Sequence, residues 1–144
     1  MKAGSERQPS TPGILRRLAG MCYESLLLTG ILIVFLILPH VVIAFFAHRV
    51  ATASALWIHL FLTLLAYFVW FWSHGGQTLA MKTWKIQLLT HAGHPVHPAQ
   101  ALWRYLLCWP SLACGGIGIL WALFDRNGQF LHDRIAGTRL VITD

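Results

Sequence analysis

Charge is what this sequence has least of. Of 144 residues only 11% are charged, and just five are acidic. Soluble domains typically carry about a quarter charged residues, so a soluble monomer is excluded. Hydrophobic residues make up 56% of the chain, which excludes a disordered or collagen-like polypeptide. There is no Cys-x-x-Cys pair. Cys22, Cys108 and Cys114 lie in or beside apolar segments and are expected to be reduced, buried side chains rather than a disulfide framework. The chain has no Gly-x-x-x-x-Gly-Lys phosphate loop, no Gly-x-Ser-x-Gly elbow and no nucleophile–base set, so neither an enzyme nor a cofactor is expected. Eleven Lys and Arg against five acids give a formal charge of +6. These cations sit beside long uncharged stretches rather than on a polar face, so a nucleic-acid partner is not expected.

What is present is two long uncharged runs. Residues 1–13 are polar and carry Pro9, Pro12 and Gly13, which predicts a disordered tail. Ser25 to His48 is free of formal charge, and so is Val50 to Ser73. About 20 apolar residues cross a bilayer, and a secretory signal has a much shorter apolar core. Both runs therefore read as spans, at about 21–47 and 51–73, joined tightly at Arg49 into an antiparallel hairpin. Pro39 is expected to kink the first span, with neighbouring groups satisfying the freed carbonyl. Tyr67, Trp70 and Trp72 fit an aromatic belt at the headgroup level. Lys82 to Thr90 and Thr138 to Thr143 read as short strands. A third apolar stretch, 99–124, is broken at Pro110 and is rich in glycine. The fold class is thus an all-α membrane protein. It has two long transmembrane helices, a Pro/Gly-broken third segment and a small cytoplasmic two-stranded β element.

Charge asymmetry orients the chain. If 99–124 enters and returns, Lys2, Arg7, Arg16, Arg17, Lys82, Lys85, Arg104, Arg126, Arg134 and Arg139 share one side and only Arg49 lies opposite. A third full crossing instead places Arg126, Arg134 and Arg139 with Arg49. The positive-inside rule favours the first arrangement, with a cytoplasmic N-terminus. Two short strands also need a common side to pair. As a helix, residues 111–124 cover only about 21 Å, short of a core about 30 Å thick.

Few residues carry chemistry. Glu24 is the one acid between Glu6 and Asp125, and it begins the first span. Arg17 lies two helical turns earlier, on nearly the same face. A carboxylate at membrane depth must face protein or water, or be protonated. Two readings stand: a pH-sensitive cation or proton site, or an interfacial residue that pairs with an arginine. Asp133, in His132-Asp133-Arg134-Ile135-Ala136-Gly137-Thr138, is a candidate helix cap or a clamp for Arg17 or Arg104, and Gly137 supplies a turn. His91, His94 and His97 have metal-like spacing, but Pro95 and Pro98 keep them extended, so no metal site is expected. His40 and His59 lie on different spans and read as packing residues rather than haem ligands. Ser111/Gly115 and Cys114/Gly118 are small-residue pairs that allow close helix approach.

The opening Arg17-Leu-Ala-Gly-Met-Cys-Tyr-Glu24 resembles the start of the RDD family of small membrane proteins, named for one arginine and two aspartates. Gly76-Gln77-Thr78-Leu79-Ala80-Met81-Lys82, Arg104 and the His132–Thr138 stretch resemble its later landmarks. The likeness runs from about residue 14 to 143. It implies that Arg17 and Asp133 are the family arginine and second aspartate, and that Glu24 stands at the first aspartate. It marks Gly76, Gln77, Thr78, Gly137 and Thr138 as structural motif residues. It also implies a bacterial inner-membrane location and, for some relatives, cation/proton exchange. The expectation is transport of a small cation coupled to protons through an Arg17, Glu24, Arg104 and Asp133 cluster, in a homo-oligomer large enough for a path. The alternative is a non-catalytic membrane module whose cluster is a structural lock and which binds a partner protein or anionic lipid.

Overall fold

The computed structural model describes residues 10–126 and 128–143. Helix α1 (Ile14–Leu32), a π-helical turn (Ile33–Ile37) and α2 (Leu38–Ala47) follow one another as a single rod, Ile14–Ala47. At 1.5 Å per residue its 34 residues extend about 50 Å, beyond a bilayer core. That is why the helix begins before the expected span: its first turns carry Arg16 and Arg17 outside the uncharged run. The π turn ends just before Pro39, in the first turn of α2, where a missing N–H is tolerated. The His40 ring sits on the Leu36 carbonyl, with Nδ1 at 2.7 Å.

His48, in the left-handed conformation, ends α2. Thr52 caps α3 (Ala53–Ser73), its Oγ1 accepting from the Ala55 amide. The His40 and His59 rings meet across the hairpin, centroids 5.1 Å apart. Both arms are apolar enough to span a membrane, and they leave Leu26, Phe35, Phe45, Trp57 and Ile58 on the outside. Cys22 and Cys114 are exposed too, against the expectation of burial; in a membrane chain an apolar side chain gains as much by facing lipid as by facing protein.

Beyond α3 the chain makes a turn and a five-residue helix, α4 (Leu79–Thr83), before β1 (Ile86–Thr90). The strand expected from Lys82 is therefore shorter. Thr78 caps the intervening helix at its N-terminus, and Lys85 ends it with a positive φ of 52°. Helix α5 (Pro98–Ala113) opens on a proline, which suits a first helical position. The helix runs through Pro110, where the break was expected, and turns by 94° into α6 (Ile117–Phe124) only at Gly115 and Gly116, whose positive φ no helix can continue. The close approach here is not the pairing expected from sequence. It is Ser111 against Gly118 across the bend, where an added Cβ would overlap the serine side chain. Helix α7 (Leu131–Ile135) leads into β2 (Thr138–Ile142).

The strands pair antiparallel, Ile86 opposite Ile142 and Thr90 opposite Thr138. This brings the tail beside the middle loop. The start of α1 is there as well: Arg16 Nε donates to the Trp84 carbonyl at 2.8 Å. The tail that follows α5–α6 therefore lies at the same end of the hairpin as the middle loop and the start of α1. The buried core lies at this same end, formed by Trp72, Ile86, Leu88, Ala101, Tyr105, Phe130 and Leu140. Residues 1–9 of the expected tail lie outside the described residues. Its last part belongs to the fold: Ser10 accepts from the Ile142 amide at 3.0 Å, and Pro12 is buried.

Candidate functional site

The charged residues at the end of the molecule that carries the sheet arise from four separate segments. Arg104, nearly two turns into α5, is 6% exposed and Asp133 on α7 is 1% exposed. Arg104 Nε and Nη2 reach Asp133 Oδ1 at 2.7 and 2.6 Å, and the guanidinium lies over Trp72, 4.1 Å from the ring centroid. Gln100, four residues earlier and so on the same face, donates to the Ala136 and Gly137 carbonyls. One face of α5 thus holds the α7–β2 turn by its side chain and by its backbone.

Arg17 is buried beside this pair without joining it. Its Nη1 donates to the Gly128 carbonyl, and its guanidinium sits 5.4 Å from the Phe130 centroid. The loop that offers Gly128 is shaped by Asp125, which accepts from the Gln129 amide at 3.0 Å and pairs with Arg134. Arg17 Nε and Asp133 Oδ2 have no hydrogen-bond partner among the described residues.

Glu24 stands apart from the arginines. Its carboxylate accepts from Tyr67 Oη at 2.6 Å and from Thr78 Oγ1. No ion pair within 4 Å joins it to Arg17 or to any cation among the described residues. Tyr67 was expected only in an aromatic belt; its hydroxyl is the partner the sequence did not reveal.

The motif residues build the frame. Thr78, Thr138 and Asp133 are, with Leu88, the largest side chains wholly buried. Gly76 has a φ of 69° and takes the Leu88 amide on its carbonyl at 2.7 Å, while Gln77 donates to the Ile86 carbonyl at 2.9 Å. Gly137, φ 69°, turns the chain into β2, and Thr138 Oγ1 closes on the Asp133 carbonyl at 3.3 Å. The exposed His91, His94 and His97 do not converge: no group of three metal-ligating side chains is found among the described residues.

Between these elements lies a cavity of about 380 Å³, with walls that include Leu28, Leu64, Phe68 and Ile119. Arg17, Glu24, Arg104 and His132 also reach it. Its size and its few convergent polar groups make it the candidate site. A family model for RDD matches residues 11–137. The chain belongs to the RDD family. No curated protein and no solved structure matches it. Arg17 and Asp133, identified from the RDD resemblance, lie at one end beside Arg104. Glu24 shares a cavity with Arg17 and Arg104 but bonds to hydroxyls.

His132 adds a pH response that its sequence position did not signal. Burial pushes its imidazole down to about 4; Arg104 acts in the same direction and Asp133 opposes both. The 3.6 Å approach of Nε2 to Asp133 is thus no ion pair at neutral pH. The unfolded chain takes up this proton near pH 6.5 and the folded one near 4. Stability is full above 6.5, falls as pH drops through that window, and levels off below it, a loss on the order of 3 kcal/mol. In detergent, Tm of the wild type is expected to fall more steeply between pH 7 and 4.5 than that of His132→Gln. Parallel curves would remove His132 as the cause.

Proposed function

We propose that this RDD protein is a non-catalytic module of the bacterial inner membrane that holds a lipophilic, polar-headed ligand in the cavity at its charged end. Arg104–Asp133 acts as the lock that closes that end. The carrying observation is the cavity itself: apolar walls from both hairpin helices and from α5–α6, with Arg17 and Glu24 as its polar points. The N-terminus and the sheet are placed on the cytoplasmic side, where the positive-inside rule puts ten cations against one.

A ligand that binds only the folded state stabilises it, by about 2.7 kcal/mol at a hundred times its Kd. Delipidated protein titrated with a single-chain amphiphile is therefore expected to gain several degrees in Tm. Leu64→Trp, which fills the cavity from α3, is expected to lose that gain while folding normally. An equal gain in both proteins would count against the cavity as the site.

A second reading, exchange of a small cation for protons by a homo-oligomer, has one observation behind it. Glu24 is a cavity carboxylate with two hydroxyl donors and no cationic partner among the described residues. Liposomes loaded with a pH indicator and given sodium, potassium or lithium outside test it. Proton movement that disappears in Glu24→Gln supports exchange; no movement with inserted, folded protein removes it for those ions.

A further inference from the structure

The cavity is not electrically uniform. Six groups that reach it are ionisable; the Tyr105 hydroxyl and the Cys108 thiol are neutral at pH 7, and the other four are Arg17, Glu24, Arg104 and His132. Arg104 is neutralised by Asp133 at 2.6 Å. His132 is neutral above its low titration range. That leaves Arg17 and Glu24, a guanidinium and a carboxyl group of opposite character, neither in an ion pair within 4 Å among the described residues. They lie seven residues apart on α1, which is about 10 Å along the axis and nearly the same face.

Each group also has bonding capacity to spare. A guanidinium has five N–H donors; among the described residues that of Arg17 makes one hydrogen bond and its buried Nε makes none. A carboxylate has about four acceptor positions, and that of Glu24 fills two. Leaving charge unpaired against apolar walls is costly unless something complements it.

We infer that the cavity selects a zwitterionic aminophospholipid headgroup, the phosphate meeting Arg17 and the primary ammonium meeting Glu24. This rests on the cavity reading above and gives its ligand a class. A purely anionic headgroup satisfies Arg17 but brings its charge toward Glu24. A choline headgroup has the right charges but no N–H to give the carboxylate. A primary ammonium offers three donors to the acceptor positions that Tyr67 and Thr78 leave open. The volume fits a headgroup and the first part of its chains, so the acyl tails run out along the hairpin, where Leu26 and Leu62 are exposed.

The test is competition for the purified full chain, read by native mass spectrometry. The probes are phosphatidylethanolamine, its N,N-dimethyl derivative, phosphatidylcholine and phosphatidylglycerol, all with the same acyl chains. Phosphatidylethanolamine is expected to be retained about tenfold over phosphatidylcholine, the value of one charge-assisted hydrogen bond, with the dimethyl lipid between them. Glu24→Gln is expected to bring the ratio close to one; Glu24→Asp, which keeps the charge, is expected to preserve part of it. Equal retention of all four lipids by the wild type overturns the inference, with no variant needed. So does a preference for phosphatidylglycerol, or a ratio untouched in folded Glu24→Gln. If Leu64→Trp still strips lipid in those cases, the cavity reading survives alone. If Leu64→Trp retains lipid as the wild type does, both readings fall.

Discussion

Asp133→Ala is expected to destabilise the protein by about 3–5 kcal/mol, and Arg104→Ala by a similar amount. Either change leaves a charge buried without its partner. Without Asp133, Arg104 remains pinned over Trp72, with Arg17 also buried at the same end. Without Arg104, the Asp133 carboxylate loses the guanidinium that binds Oδ1, and its Oδ2 is already unpartnered. The double variant Arg104→Met with Asp133→Leu removes both charges and keeps apolar volume. It is expected to be more stable than either alanine variant, because the desolvation cost goes with the charges. Tm and detergent-soluble yield of the three variants check this. A double variant whose loss equals the sum of the single losses would mean that the pair is not a coupled lock.

Gly76→Ala is expected to cost about 3 kcal/mol, for two reasons that can be separated. A φ of 69° disfavours any side chain, and the new Cβ would stand 2.3 Å from the Leu88 carbonyl oxygen. That oxygen belongs to the strand backbone and cannot swing aside. The change would also force apart the Gly76 carbonyl and the Leu88 amide, now 2.7 Å from each other. Neighbouring Gly75 is the control. Its φ is 100°, but nothing lies within 4 Å of its Cβ position, so Gly75→Ala bears only the conformational cost, about 1–2 kcal/mol. Equal Tm losses for the two variants would show that Gly76 matters for its φ alone.

The lock and the turn were legible to different depths. His132–Thr138 and Gly76–Thr78 stood out because they are polar, compact and set among apolar stretches. Asp133 was a candidate clamp for either arginine, and only the fold chose Arg104. Gln100 carried no signal by itself; its role follows from sharing a helix face with Arg104. Asp125 and Gly128 were equally silent, because they act by presenting one backbone carbonyl to Arg17. Tyr67 was read as an interfacial aromatic, which accounts for its ring but not for its hydroxyl.

The sequence by itself determined that the chain enters a membrane, that its first two apolar runs form a tight hairpin, that the third is broken, and that two short strands share a side. These follow from hydropathy, proline, glycine and charge counts, which are properties of short windows. Only the tertiary structure decided which charges meet. Arg17 and Gly128 are 111 positions apart, Glu24 and Thr78 are 54 apart, and Arg104 and Asp133 are 29 apart. Such contacts depend on the bend between α5 and α6 and on the register of β1 with β2. A buried charge takes the partner that the backbone brings within about 3 Å, and no local pattern encodes that distance.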